Sequence, residues 1–455
     1  MPTNDFAVVF IMEKRVAIIF AIMIAVCCLL SGCGKDPVST LPSGTVPATT
    51  DGSVNTTVSG TVEPTTVPAA KPVGTIDVSY GVDSFDNAGW EIAPNSQMYG
   101  AVVEDGYYYI QDEVFRYLDM NTGISVCLCS KPACKHNSEE CEAFTVDPFT
   151  RQLMFFINDC LYYIELDNEG ASLLMRRNST GMELQRVARL GESLMGKDRS
   201  ITIYQPMITE NWLYYMVEIQ GIVTVGEVSQ LQWIGDALCR VNLTNGKEEV
   251  LVVTDGDWLQ LITVRTDGMI YTVSETPDLE HVVGADGYLT MPDNYYDLLP
   301  ACAVNLMRWD EGTGENTLLL ERTRATLEAP KSYGGKVTFY TSDHKERWGY
   351  DLTTGEVTQL DLILGTIINE DYMLYKKNAD PNVPYDLEGQ FILNMKTGEL
   401  FPIDIPGGAY WMYNRSDKWL IINSLVGDRG VLYYIPIDAI ADGIQVHDAT
   451  IFPPA

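Results

Sequence analysis

From about residue 100 onward the apolar residues fall into short unbroken runs, without the three-and-four spacing of an amphipathic helix. Tyr107-Tyr108-Tyr109, Leu161-Tyr162-Tyr163, Leu213-Tyr214-Tyr215, Met269-Ile270-Tyr271 and Tyr372-Met373-Leu374-Tyr375 are such runs. A polar turn precedes each: Asp105-Gly106, Asn158-Asp159, Glu210-Asn211, Asp267-Gly268 and Glu370-Asp371. Gly334-Gly335 before Lys336-Val337 and Ser416-Asp417 before Lys418-Trp419 fill the remaining places. Aromatic and aliphatic runs bounded by turn residues predict β-strands.

A second turn follows each of several runs. It is Leu118-Asp119-Met120-Asn121-Thr122-Gly123 in one copy and Val241-Asn242-Leu243-Thr244-Asn245-Gly246 in another. Further copies are Trp309-Asp310-Glu311-Gly312-Thr313-Gly314, Tyr350-Asp351-Leu352-Thr353-Thr354-Gly355 and Leu393-Asn394-Met395-Lys396-Thr397-Gly398. Leu166-Asp167-Asn168-Glu169-Gly170 is a looser one. Glycine supplies positive φ and Asp or Asn caps its own backbone, which together make a hairpin turn.

The first kind of turn recurs from position 105 to position 417 in six steps, 52 residues per step. That period, with several short strands per unit, predicts an all-β chain folded as a β-propeller. Seven units predict seven blades; six or eight stay open, because the third and fourth units carry insertions. A propeller must close its ring. The strand-like stretches Thr75 to Tyr80 or Gln97 to Val103 are candidates to pair with the final unit near Val431 to Ile437. The paired turns and aromatic strands resemble the propeller repeats of clostridial surface lipoproteins, and more distantly the YWTD-type propellers of lipoprotein receptors. The resemblance covers nearly all of residues 100 to 445.

The N-terminus is organised differently. Lys14 and Arg15 precede an apolar run, Val16 to Leu30, and then Leu30-Ser31-Gly32-Cys33. A basic start, a short apolar core and small residues make a secretory signal over residues 1 to 32, with Met12 an alternative start. The run falls short of the roughly 20 residues of a membrane span. Leu-Ser-Gly-Cys resembles the lipobox of bacterial lipoproteins. That resemblance implies cleavage before Cys33 and a diacylglycerol thioether on its sulfur. Residues 34 to 74 are rich in Ser, Thr, Pro and Gly, so 33 to 74 are expected to form a lipidated, disordered tether. Residues 75 to 455 remain for the propeller. The expected address is the outer face of the cell membrane, through the lipid.

Thirty Lys and Arg against 62 Asp and Glu give a net charge of −32, and the four charged residues of the signal cancel. Such a chain does not suit nucleic acid or anionic lipid surfaces. Acidity serves solubility; a cation-rich ligand is the sharper alternative.

Of the ten cysteines, Cys27 and Cys28 leave with the signal and Cys33 carries lipid. Cys160, Cys239 and Cys302 are expected to be small buried apolar residues, the last two at similar places in two repeats. Cys127, Cys129, Cys134 and Cys141 cluster after the first unit, with His136 among them. Cys129, Cys134, His136 and Cys141 form the donor set of a structural Cys3His zinc site. One or two disulfides are the alternative for a chain outside the membrane. Either would staple the loop between the first two blades. A cluster of the same form recurs in the clostridial lipoproteins that the chain resembles.

The sequence contains no HExxH, GxSxG or Walker loop. His136, His281, His344 and His447 are isolated from one another. The resulting expectation is a membrane-anchored, non-catalytic propeller that binds an extracellular protein or glycan. The alternative is a carbohydrate-active enzyme, a glycoside hydrolase or lyase on the same scaffold, using paired carboxylates. Tyr410, Trp411 and Tyr413 are candidate sugar platforms, with packing between blades as the competing role.

Overall fold

A computed structural model of the chain describes residue 72, residues 74–75 and most of 100–449. Within that last span, residues 112, 132–133, 139, 146–153, 179–183, 334, 343–345, 361–364, 370, 377–389, 404–408, 416–417, 427–428 and 444–446 fall outside the description. The signal, Cys33 and nearly all of the expected tether also lie outside it.

The described chain is a succession of antiparallel sheets, each a meander whose neighbours in space are neighbours in sequence. Sheet 1 holds Gly100–Val103, Gly106–Gln111, Val114–Asp119 and Ile124–Cys127. Sheet 2 holds Met154–Ile157, Cys160–Leu166, Ser172–Asn178 and Leu184–Arg189. Sheet 3 holds Arg199–Ile208, Trp212–Val225, Val228–Asn242 and Glu248–Val253, and sheet 4 Trp258–Arg265, Gly268–Ser274, Ala303–Asp310 and Asn316–Thr323. Sheet 5 holds Glu328–Tyr333, Lys336–Tyr340, Arg347–Asp351 and Val357–Gln359. Sheet 6 holds Gly365–Ile367, Tyr372–Lys376, Gln390–Asn394 and Glu399–Pro402, and sheet 7 Ala409–Arg415, Trp419–Val426, Arg429–Pro436 and His447–Ala449. Strands are lettered a to d within each sheet.

The aromatic doublets explain why the sheets stack into a propeller. Successive side chains of a strand point to opposite faces. In strand 2b, Leu161 and Tyr163 therefore enter a cluster with Phe115 and Val114 of sheet 1. Tyr162 and Ile164 enter another with Leu213, Tyr215 and Val217 of sheet 3. Tyr214 and Met216 in turn face Leu261, Met269 and Tyr271 of sheet 4. Further clusters join sheet 4 to sheet 5 through Ile270, Leu306, Val337 and Phe339, and sheet 6 to sheet 7 through Ile392, Phe401, Leu420 and Ile435. Sheets 2, 3 and 4 are thus apolar on both faces and covered on both.

In six of the sheets the two recurring turns lie at the same end and are bonded to each other; in sheet 2 the looser copy, Asp167 to Gly170, instead joins strands 2b and 2c at the opposite end. The amide of the residue after strand c donates to the carbonyl of the a–b turn. The pairs are Met120 to Asp105, Leu243 to Asn211, Glu311 to Asp267, Leu352 to Gly335, Met395 to Asp371 and Ile437 to Lys418, at 2.7 to 3.0 Å. Within the c–d turn the glycine is left-handed, with φ of +71° at both Gly246 and Gly314. Asn242 Oδ1 accepts the Thr244 and Asn245 amides at 3.0 Å, and Asp351 Oδ1 accepts those of Thr353 and Thr354 at 2.8 and 2.9 Å. The two turns co-occur in sequence because each satisfies the other's backbone groups.

Two expectations are corrected. Six regular four-stranded blades are formed rather than the expected seven, and the remaining unit, sheet 6, is a five-stranded sheet. The fifth strand is Gly74–Thr75, which pairs Gly74 with Leu400 and Thr75 with Glu399 and covers the outer edge of strand 6d. Among the described residues, the ring is also not closed by an N-terminal strand on the last unit; residues 76–80 and 97–99 of the two candidates lie outside the description. Gly100–Val103 belongs to sheet 1, and sheet 7 completes itself with His447–Ala449. Sheets 1 and 7 meet through side chains instead. Tyr107, Tyr109, Leu118 and Met120 pack with Ile421 and Tyr434. Trp419 Nε1 donates to the Glu104 carbonyl at 3.0 Å, and Lys418 pairs with Glu104 at 2.7 Å.

The repeat turns yield a stability test. At equal φ, a methyl group added at Gly314 would have nothing within 4 Å, whereas one added at Gly246 would run into the Val187 carbonyl oxygen. Gly314→Ala should cost about 1–2 kcal/mol, the ordinary left-handed penalty. Gly246→Ala should cost more, because it also forces sheets 2 and 3 apart. Urea-unfolding midpoints of the two variants check this, and equal losses would count against the packing argument.

Candidate metal centre

The Cys/His segment grows out of the edge of sheet 1. Strand 1d ends at Cys127, and the next amide, Leu128, donates to the Phe115 carbonyl at 3.0 Å. The chain then leaves the sheet and returns with the Phe115 amide donating to the Ala143 carbonyl at 2.7 Å. The Thr145 amide bonds the Glu113 carbonyl at 2.7 Å just beyond. Both peptide groups of one fully buried residue, Phe115, thus pinch the neck of the loop. Inside the loop, one tight turn ends on Cys134, whose amide reaches the Lys131 carbonyl at 3.3 Å. Another ends on Cys141, whose amide reaches the Ser138 carbonyl at 2.9 Å. Ser130 Oγ donates to Glu142 Oε2 at 2.8 Å and Lys131 Nζ to the Glu140 carbonyl at 2.6 Å, which tie the two limbs together.

The four residues singled out from the sequence converge. One donor atom from each of Cys129, Cys134, His136 and Cys141 lies within 4.8 Å of all the others. His136 Nδ1 stands 3.3 Å from Cys141 Sγ. His136 has φ of +55°, a left-handed conformation uncommon for a side chain of its size. Cys141 is buried, and the other three are half-buried. An open cleft of about 630 Å³ borders the cluster, lined by Lys131, Cys134, Lys135, His136, Asn137, Ser138 and Glu140.

The thiols are not equivalent. Burial pushes Cys141 up to about 12, and the neighbouring Cys134 and Cys129 add to this. Burial also raises Cys129, but the Lys131 amide, the Cys141 and Cys134 thiols and the Glu142 amide outweigh it, so its pKa is below the ordinary thiol value. Cys127, at the neck, is raised by burial and then by Cys129, and it stands outside the converging set. Three sulfurs and an imidazole are a soft donor set, suited to zinc and unsuited to magnesium, calcium or manganese.

The remaining cysteines divide. Cys239 is fully buried in strand 3c, as expected of a small apolar residue. Cys160 is half-buried at the start of strand 2b. Cys302 is half-buried and precedes its strand, and the residue matching Cys239 in sheet 4 is Met307, each paired with the strand-b tyrosine. The similar place expected for Cys302 is thereby corrected. His344 and the side chains of His447, Tyr410, Trp411 and Tyr413 lie outside the description.

The one buried acid among the described residues is Asp236. Its Oδ1 accepts Trp233 Nε1 of the same strand at 3.0 Å, and its Oδ2 accepts the Leu259 amide at 2.9 Å and so latches sheet 3 to sheet 4. The sequence did not reveal the Phe115 neck or this latch; both depend on pairings distant along the chain.

No protein-family model matches the chain, and no curated protein is significantly similar to it. Similar solved structures include an oligogalacturonate lyase in complex with manganese, 15% identical over 75% of this chain and 85% of that one, with a TM-score of 0.43. A puromycin hydrolase is 11% identical with a TM-score of 0.47, and the match covers 81% of this chain but 57% of the hydrolase. The β-propeller domain of the trilobed protease from Pyrococcus furiosus, described with an open velcro topology, is 10% identical over 79% of this chain and 100% of that domain, with a TM-score of 0.43. At such identities no activity carries over.

The thiol environments order their reactivity, because the thiolate is the nucleophile. In chelator-treated native protein near neutral pH, iodoacetamide should label Cys129 early and reach Cys239, fully buried in strand 3c, last. Peptide mass spectrometry over time measures the order; Cys239 reacting ahead of Cys129 would contradict it.

Proposed function

We propose that the protein is held by a lipid on Cys33 at the outer face of a cell membrane and displays its propeller as a non-catalytic binding module. Its ligand is an extracellular protein or glycan that carries positive charge. The clostridial surface-lipoprotein resemblance belongs to this reading.

One observation carries the binding part. Sheets 3 and 4 are extended at the end opposite the repeat turns. The hairpin of strands 3b and 3c runs on to Val225 and Val228, and residues 275–302 are inserted between strands 4b and 4c. The two extensions are bonded to each other: the Leu289 amide donates to Gln230 Oε1 at 2.8 Å, and Gln232 Nε2 to the Leu289 carbonyl at 3.5 Å. They leave Ile222, Leu231, Tyr288 and Tyr296 exposed. No Lys or Arg occurs between Arg199 and Arg240, where there are four acids, or between Arg265 and Arg308, where there are seven. Exposed apolar and aromatic side chains among acids suit a ligand with apolar patches and cationic groups. The buried Asp236, with both oxygens bonded, supplies no acid for the carbohydrate-active alternative.

For the anchor, Cys33→Ala should remove lipid incorporation and release the protein from membranes. Labelling with a radioactive or clickable fatty acid measures it, and equal label in variant and parent would end the idea.

For the ligand, the full chain should bind cationic members of a panel of basic peptides, glycans and cell-wall polymers over anionic ones. Tyr288→Ala combined with Ile222→Ala should weaken the best hit about tenfold or more with an unchanged melting temperature. Binding indifferent to both substitutions would remove this surface from the proposal. Conversion of a hit into new products would replace the binding reading with the enzymatic one.

A further inference from the structure

We infer that Cys129, Cys134, His136 and Cys141 hold one zinc ion and that this ion, not a disulfide, shapes residues 129–142. The inference does not depend on what the propeller binds.

Among the described residues, the side-chain ties between the limbs other than the cysteines and His136 are the exposed hydrogen bonds of Ser130 with Glu142 and of Lys131 with Glu140. Residues 129–142 read CSKPACKHNSEECE, with no large apolar side chain. Fourteen residues of such composition do not bury enough surface to offset ordering. The neck at Phe115 fixes the ends of the loop but not its body. Its body is nevertheless folded by two tight turns, each ending on a cysteine of the set. Metal binding by the cysteines and the imidazole supplies the missing driving force, as in small domains whose folding is metal binding.

The geometry distinguishes the ion from a disulfide. Donors around a tetrahedral zinc stand about 3.4–3.8 Å apart, given bonds of about 2.0–2.3 Å. The observed donor atoms are within 4.8 Å of one another, and the Nδ1–Sγ pair is at 3.3 Å. The widest separation exceeds the zinc value by only about 1 Å. A disulfide uses two of the three sulfurs and has no use for an imidazole. Yet His136 adopts a left-handed backbone that brings its ring to the sulfurs. Binding Zn²⁺ displaces the three thiol protons to solvent, and neutral His136 donates through a ring nitrogen. The resulting centre carries a single negative charge beside Lys131 and Lys135. Cys127 stays outside the shell.

The test uses the full chain purified without chelator. Elemental mass spectrometry should find one zinc per chain. Replacement by Co²⁺ should give the intense visible bands of a tetrahedral site with sulfur-to-cobalt charge transfer. His136→Ala should weaken Co²⁺ binding at least about tenfold and alter those bands, while Cys302→Ser should change neither. A readout without substitution guards against misfolded variants: chelation should open residues 129–142 to a protease, and added zinc should close them again. Thiols blocked before reduction, with no metal bound, would establish the disulfides and overturn the inference. Full metal affinity in His136→Ala would overturn the ligand assignment, and reactive thiols with no affinity for zinc or Co²⁺ would overturn the site.

Discussion

A sheet that is apolar on both faces needs a neighbour on each, and the rest of the structure follows from that requirement. The doublets Tyr162-Tyr163 and Tyr214-Tyr215 put consecutive aromatic rings on opposite faces, so neither face of sheets 2 and 3 is left for water. Burial of that area is the main stabilising term, at roughly 25 cal/mol per Å². Two packed layers would satisfy one face only. Repetition of the unit around an axis satisfies both.

Repetition also sets what must happen where the chain begins and ends. The first and last sheets would each expose an apolar face unless they met. They meet through the Tyr107, Tyr109, Leu118, Met120, Ile421 and Tyr434 cluster, with Trp419 and Lys418 bonded to Glu104. No strand is exchanged between these two sheets among the described residues. The strand that the N-terminal part of the chain does contribute, Gly74–Thr75, lies on the outer edge of sheet 6. Backbone pairing and ring closure are therefore separate devices here.

The two ends of the sheets are used differently. The end with the repeat turns is uniform in six of the sheets, since there the a–b carbonyl receives the amide that follows strand c. Variation there would break a backbone bond that the next turn depends on. The other end is free of that coupling. It carries the long hairpin of sheet 3 and the insertion of sheet 4, and the Cys/His loop likewise leaves the repeat after strand 1d. Candidate function is concentrated where the scaffold tolerates added chain.

Whatever depends on local order could be read from the amino-acid sequence without a fold. Asp or Asn with Gly at a fixed offset specifies the turn from its own backbone, so the repeat and the strands were legible. The donor set was also legible, because Cys129, Cys134, His136 and Cys141 lie within one short segment whose ends are neighbours. What depends on distant partners emerged with the tertiary structure. That Gly74 pairs with Leu400 rather than with the last unit follows from which edge is open. That Phe115 closes the Cys/His loop follows from the register of strand 1c. That Cys302 lies outside the core while Cys239 lies within it follows from an insertion that shifts the strand start. Each of these is a competition between surfaces far apart in the chain, and local propensity has no term for it.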